Sequence, residues 1–455
     1  MIEGLKPYAE YKESGQGWLG QVPAHWDLKP GHSAYTKRKR SNVGLKENTV
    51  LSLSYGRIKV KPTDKQHGLV PESYETYQIV DEGNIIIRGT DLQNDHTSLR
   101  IGLSRDRGII SSAYLCLEAR ETITPDYGYQ ILNTFDLTKA IYRYGSGLRQ
   151  NLDHGEIKRL PIFLPPLDEQ LAIVRFLDHA NRKIDGFIRA KRKLIGLLNE
   201  QKQAIIHRAV TRGLDPNAKL KPSGIPWLGE IPAHWEVLRA KYLFREVDDR
   251  SKEGKETHLA MSQRLGLVPS SMVGSAMRSE SYAGAKLCQE GDLVLNRLKA
   301  HLGVFALAKQ GGVISPDYSV FRKRVALRMD YYESVLRSSA CRRELRIRAK
   351  GLVEGFWRLY TDDFYDIRLP VPPPDEQGEI MSAISSETIP LTTAIARTER
   401  EIALMQEYRT RLTADIVTGK LDVREAAAKL PEQVEEEAAD SEIPEDETET
   451  EEFAE

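Results

Sequence analysis

The apolar positions of the chain follow two rhythms, and each rhythm occurs twice. From Val174, steps of three and four residues visit Val174, Leu177, Asn181, Ile184, Ile188, Lys191, Ile195, Leu198, Lys202, Ile205 and Ala209. Eight of these eleven are apolar, as the seam of a coiled-coil helix requires. Moving each position on by 207 gives Met381, Ile384, Thr388, Leu391, Ile395, Thr398, Ile402, Met405, Arg409, Leu412 and Ile416, again eight of eleven apolar. The polar interruptions fall at the same three steps in both. Shared interruptions predict that the two helices are each other's partners; the alternative is two separate amphipathic helices, each lying on its own domain. The core of the expected seam is Ile184, Ile188, Ile195, Leu198 and Ile205 against Leu391, Ile395, Ile402, Met405 and Leu412. Pro390 conflicts with the second helix, because it removes a backbone donor and should kink it.

The second rhythm is short and β-like. Runs such as Asn84-Ile85-Ile86-Ile87 and Asp292-Leu293-Val294-Leu295 are bounded by turn signals and predict strands. Pro165-Pro166 closes the strand before the first long helix, and Asp168-Glu169 places negative charge on its first turn, where the helix dipole favours it.

These rhythms belong to a tandem duplication. WLGQVPAHW at Trp18–Trp26 returns as WLGEIPAHW at Trp227–Trp235, identical at seven of nine positions with an offset of 209. EGNIIIR from Glu82 answers EGDLVLN from Glu290, GIISSAY from Gly108 answers GVISPDY from Gly312, and LPPLDEQ from Leu164 answers VPPPDEQ from Val371. The expected fold class is mixed α/β (α+β): two globular domains, 1–163 and 214–370, separated by long antiparallel coiled-coil helices at 164–213 and 371–421. Residues 422–455 follow as an acidic, disordered tail. A helix of about 45 residues spans about 65 Å, so the expected shape is a rod with a reader at each end, related by a pseudo-twofold axis.

Composition changes this picture only through charge. The net charge is −1, but residues 431–455 hold thirteen Asp or Glu and no Lys or Arg. Removing those thirteen from the 66 acidic residues leaves 53 against 65 basic ones, so residues 1–430 carry +12. A basic body suits a polyanion such as DNA. The tail is too acidic and too poor in aromatics to fold alone. No run of 18 apolar residues occurs, the first residues do not read as a secretory signal, and the three cysteines lie far apart. These features predict a cytoplasmic protein.

Motifs for chemistry are missing. Gly419-Lys420 is followed by Leu421, so it is not a phosphate loop, and Gly145-Ser146-Gly147 does not continue as a dinucleotide-binding turn. There is no paired-His metal pattern, and neither Pro-Pro site reads as the DPPY or NPPY tetrapeptide of an amino-methyltransferase. The sequence therefore predicts a binding and assembly protein without a catalytic centre or metal. A coiled-coil scaffold that never touches DNA, or an enzyme with its own site, are the alternatives.

The alternation of two variable domains with two similar helices, each introduced by an LPPL-x-EQ-like motif, resembles the specificity subunit of type I restriction-modification systems. The lead-in Gly224–Trp235, with its near copy Gly15–Trp26, is similar to that family's as well. The resemblance covers about residues 15–421. It implies that each globular domain is a target recognition domain reading half of a split double-stranded DNA site, and that the helices are the spacer. It implies docking of two modification (methyltransferase) subunits and two restriction (translocase/nuclease) subunits, with S-adenosylmethionine, ATP and Mg2+ held by those partners. The acidic tail is not part of the family pattern.

The candidate DNA-binding residues are basic or amide side chains in segments that differ between the halves. In the first they are Lys37, Arg38, Lys39, Arg40, Arg57, Lys59, Lys61, Arg88, Arg149 and Gln150. In the second they are Arg297, Lys299, Arg322, Lys323, Arg324, Arg342, Arg343, Arg346 and Lys350. Arginine suits bidentate guanine contacts, amides suit adenine, and lysine more often meets phosphate. Trp18, Trp26, Trp227 and Trp235 are expected to be structural plugs, because two different readers keep them both. His25 and His234 of the same motif are expected to be structural too.

Overall fold

The computed structural model describes residues 5–61, 73–90, 92, 99–145, 151–262, 265–273, 282–302, 304–351 and 357–431. The chain divides into two compact units. One holds the described residues through Lys191 together with those from Arg400 onward; the other holds Arg192–Glu399. Each unit thus contains one stretch of each long helix.

The duplication extends to every strand pairing. In the first unit a four-stranded antiparallel sheet has the order Tyr35–Arg38, Leu115–Ala119, Ile85–Ile87, Ile101–Leu103. In the second the same order is Phe244–Val247, Tyr318–Lys323, Leu293–Asn296, Phe305–Leu307. The isoleucine run read as a strand is the inner strand Ile85–Ile87, fully buried, as its unbroken apolar character requires. A hairpin accompanies each sheet, Leu51–Ser54 with Arg57–Val60 and Leu259–Ser262 with Gly266–Pro269. Beside it Gly108–Ile110 pairs with Gln78–Val80, as Gly312–Ile314 pairs with Lys286–Cys288. Glycine is required at Gly108 and Gly312. A Cβ there would sit 2.5 Å from the Thr49 carbonyl oxygen or 2.3 Å from that of Thr257, closer than backbone permits.

Each unit has its own main core. Trp26, Tyr127, Phe135 and Phe163 are fully buried in the first, and Trp235, Tyr331, Tyr332, Phe244 and Phe321 in the second.

The long helices are Leu167–Arg212 and Pro374–Val417, slightly shorter than the expected spans. All twenty-two seam positions are buried or half-buried, while Leu194 and Leu197 between them are exposed. Direct pairs show the antiparallel course. In the first unit Asp185 pairs with Arg409, and Lys191 Nζ lies 2.7 Å from Glu401. In the second, Lys202 Nζ donates to Thr392 Oγ1 at 3.0 Å and Arg208 pairs with Glu387. As one helix advances the other retreats. Five of the seam's six polar steps find partners: Lys191, Lys202 and Arg409 reach across, and Thr388 and Thr398 donate to the carbonyls of Ile384 and Ala394 on their own helix.

Helical structure runs unbroken through Pro390. Pro390 and Ser386 are both exposed, so the carbonyl that loses its donor lies on the solvent side of the helix, where its loss is cheapest. Of the segment expected as an acidic tail, residues 422–430 belong to the first unit. They include a short helix, Arg424–Ala428, with Val423 and Ala427 buried in that unit's core. Val423 and Ala427 are apolar and the thirteen carboxylates come later, so the composition shift lies nearer residue 431. The acidic stretch 432–455 lies outside the described residues.

The seam predicts a sharp contrast within one helix. Ile188→Ala should lower stability by about 2–4 kcal/mol in urea unfolding, since Ile188 is 6% exposed. Leu197→Ala, at a site 54% exposed, should stay within about 0.5 kcal/mol. Equal losses would exclude the seam.

Candidate nucleic-acid interface

Each unit fastens its globular part to a helix start through one carboxylate, buried in the first unit and partly exposed in the second. Glu169, 2% exposed, accepts from Trp26 Nε1 at 2.9 Å and from the Tyr8 hydroxyl at 2.5 Å, and His25 Nε2 lies 2.8 Å from its other oxygen. Burial, then the hydrogen bond to Glu169, pushes the Tyr8 phenol far above its ordinary range, so it stays a donor. In the second unit Glu376 accepts from Trp235 Nε1 at 3.0 Å and meets His234 Nε2 at 2.7 Å. The next residue locks a neighbouring loop. Gln170 accepts from Thr124 N, at the cap of the helix Pro125–Leu137, and donates to the carbonyls of Thr122 and Pro165. Gln377 does the same with Arg328 N and the Pro372 carbonyl. The tryptophans and histidines of the lead-in are structural, as expected. The histidines nevertheless do have acidic partners, and Glu169 does more than complement a helix dipole. Sequence reading missed this because the partners lie 144 and 142 residues apart. The usable signal was that HW and EQ recur at nearly the same offset.

On this shared support the basic side chains differ between the copies. In the first unit Lys37 and Lys39 are exposed on and just beyond the edge strand Tyr35–Arg38, and Lys61 is exposed just past the hairpin; none pairs with a described acid. Arg38 is committed to Asp81 at 2.7 Å and Glu118 at 2.6 Å, and Arg40 leans on Asp81. Arg57 reaches Asp185 of the first long helix at 3.6 Å. Lys59 and Arg88 are exposed. Arg149 and Gln150 lie outside the described residues. Tyr55, absent from the candidates, is 75% exposed at the hairpin tip with φ +47°, next to Gly56 at +76°. Two left-handed residues make the tight turn that suits a hairpin. The Tyr-Gly dipeptide between two alternating runs was the signal.

In the second unit Lys323 ends the strand Tyr318–Lys323 and Arg343 lies on the helix Ser339–Arg348; both are exposed and unpaired with any described acid. Arg322 is bound to Asp292 and Asp249, and Lys350 to Asp363. Arg297 donates to the carbonyls of Pro316 and Asp317, and Arg324 to that of Phe244. Arg346 stacks over Trp357 at 5.3 Å, Arg342 is half-buried, and Lys299 lies half-buried at a backbone irregularity. Three of the eight described candidates in the first unit, and five of nine in the second, are thus engaged by other parts of the fold.

The free cations crowd neighbouring histidines. Burial, then Lys158 and Lys37, lowers the His154 pKa. Burial, then Arg343 and Arg212, lowers that of His207. Part of each lowering comes from neighbouring cations, and a cluster of cations marks a place where an anion relieves repulsion. No group of His, Cys, Asp or Glu among the described residues is arranged to hold a metal. Burial pushes the Cys116 and Cys288 thiols up to about 12 and about 11. No described helix is long and apolar enough to cross a membrane.

No family model matches the chain. Two curated proteins of Methanocaldococcus jannaschii are similar to it. One is the MjaX type I restriction enzyme specificity subunit, 23% identical over 233 residues, covering 48% of this chain and 53% of that protein. The other is the MjaVIII type I restriction enzyme specificity subunit, 31% identical over 136 residues, covering 30% of each. The matched part spans about half the length of the first relative and under a third of the second. Among solved structures, a chain from work on complex assembly and conformational transition of the type I R-M system has the same fold. Its TM-score is 0.60 at 15% identity, over 88% of this chain and 99% of that one. The chain is therefore a homologue of type I restriction enzyme specificity subunits.

The Glu169 cluster can be tested directly. Tyr8→Phe removes one donor from a buried carboxylate and should cost about 1.5–3 kcal/mol in urea unfolding of the full chain. An unchanged midpoint would show that the phenol contributes nothing to the first unit.

Proposed function

We propose that this chain is the DNA-reading subunit of a type I restriction-modification complex and carries no catalytic centre of its own. The first unit's globular part and the second's are target recognition domains, each reading half of a bipartite site, and the paired helices are the spacer between them. Modification subunits dock on the chain and supply S-adenosylmethionine chemistry; restriction subunits supply ATP- and Mg2+-dependent translocation and cleavage, all in the cytoplasm. The observation that carries this reading is a scaffold duplicated strand for strand, with the same Glu–Trp–His support, on which the exposed cations differ. A scaffold that keeps its frame and varies its cations suits two readers of two sequences. Among the exposed candidates without a described acidic partner, Lys37, Lys39, Lys61 and Lys323 suit phosphate and Arg343 suits a base edge.

Exchanging residues 27–160 for the equivalent segment of a related protein should change one half of the methylated motif and leave the other, as read by methylome sequencing. Both halves changing together would overturn independent reading. Free chain should transfer no methyl group from S-adenosylmethionine to DNA.

The histidines report the DNA face. Duplex phosphate beside Lys37 or Arg343 should raise the pKa of His154 or His207, because an anion offsets the cations that lower it. NMR titration of labelled histidines with and without DNA measures this. Both values unmoved in a saturated complex would place the interface elsewhere.

A further inference from the structure

The two Glu–Trp–His clusters are alike in every partner except one. In the first unit the space beside Glu169 is filled by Tyr8, only 5% exposed, whose hydroxyl bonds the carboxylate and whose ring lies 5.7 Å from His25 and 5.8 Å from Trp26. Arg424 covers the outer face of that ring at 5.2 Å and is ion-paired with Asp422. In the second unit Asp215 and Leu214 correspond to Asp422 and Leu421 at the offset of the long helices. No tyrosine is there. A cavity of about 270 Å³ takes its place, lined among others by Asp215, Ala218, His234 and Glu376. Glu376 is 21% exposed where Glu169 is 2%.

We infer that this cavity is a docking site for a tyrosine side chain presented by a protein with which the chain assembles. The first unit supplies the occupant's chemistry. The same three groups, glutamate, histidine and tryptophan, hold a phenol there, and a phenol meets their needs better than water does. Its hydroxyl gives the carboxylate a further donor, and its ring shields a partly exposed acceptor from solvent. A phenylalanine would fill the volume and leave the carboxylate unsatisfied, so the site discriminates by one hydroxyl. The first copy uses a segment of its own chain. In the second copy the place of Tyr8, at the lead-in offset of 209, is taken by the exposed Asn217, so the matching segment presents no phenol.

The test uses the full chain with Ala218→Cys. Its native cysteines are all buried, so the new thiol is the accessible one. Equilibrate it under partial reduction with equal amounts of N-acetyl-tyrosinamide and N-acetyl-phenylalaninamide, each carrying the same short disulfide linker, and read adducts by intact mass. The tyrosine adduct should predominate by about tenfold, against a ratio near one at a control Ser271→Cys. Equal ratios at both positions would overturn the site. The second arm rests on the functional reading above. Filling the cavity, by Ala218→Trp or by the tethered tyrosine itself, should weaken binding of the modification subunits at least fivefold with the urea midpoint maintained. Undiminished binding by both filled forms would overturn the assignment to a partner protein. The tethering ratio is read on free chain without DNA, so loss of the DNA-reading role would leave it intact.

Discussion

A carboxylate held by the lead-in motif at the first turn of each long helix, buried in the first unit and partly exposed in the second, is the constraint on which the two units depend. A charge at 2% exposure is tolerable only when donors surround it. Glu169 has three, from Tyr8, His25 and Trp26, all far away in sequence. They tie the segment around Tyr8, the lead-in motif and the helix itself into one joint. The tryptophan then lies against the core, stacked at 6.4 Å on Phe163. Because the joint is made by backbone-adjacent residues on both sides, His25 with Trp26 and Glu169 with Gln170, it sets direction as well as attachment. Whatever varies in the loops of the sheet leaves this geometry alone.

The helices were legible because their signal is periodic and local. The seam positions, the strand Ile85–Ile87 and the structural role of the lead-in tryptophans all follow from spacing and repetition. The joint was not legible, because hydrogen bonds between residues 140 positions apart leave no periodicity. The free cations were legible only as a class. Arg38 and Lys37 are neighbours with the same charge, yet Arg38 is spent on Asp81 and Glu118 while Lys37 is open. That choice depends on which acids the sheet brings across from other strands. The boundary of the tail was misplaced for a related reason: Val423 and Ala427 are unremarkable in sequence, and only the first unit's core gives them a place.

Duplication and divergence divide the work between parts. Backbone pairings, glycines at close approaches and the two EQ dipeptides are held in common. Side chains on the solvent side have drifted, and so have some internal bonds. The Gln78 amide donates to the Tyr114 carbonyl, and at the matching place the Lys286 amine donates to the Tyr318 carbonyl. Such a substitution keeps a buried donor while changing its charge, so the frame itself tolerates divergence.

The first unit is completed by residues from both ends of the chain. Lys6 and Asp422 are paired through their backbones, Gly419 packs where a Cβ would meet Pro23 and Trp26, and Arg424 lies over Tyr8. The second unit, Arg192–Glu399, is continuous. On the ribosome this creates an order of events. At roughly 5–20 residues per second, Tyr8 emerges roughly 20–80 s before the residues that cover it. The second unit has its whole sequence first, although it begins later. During that interval the first unit's core carries an open seam at Trp26 and Tyr8, so the nascent chain, more than the finished protein, is where a chaperone has most to protect.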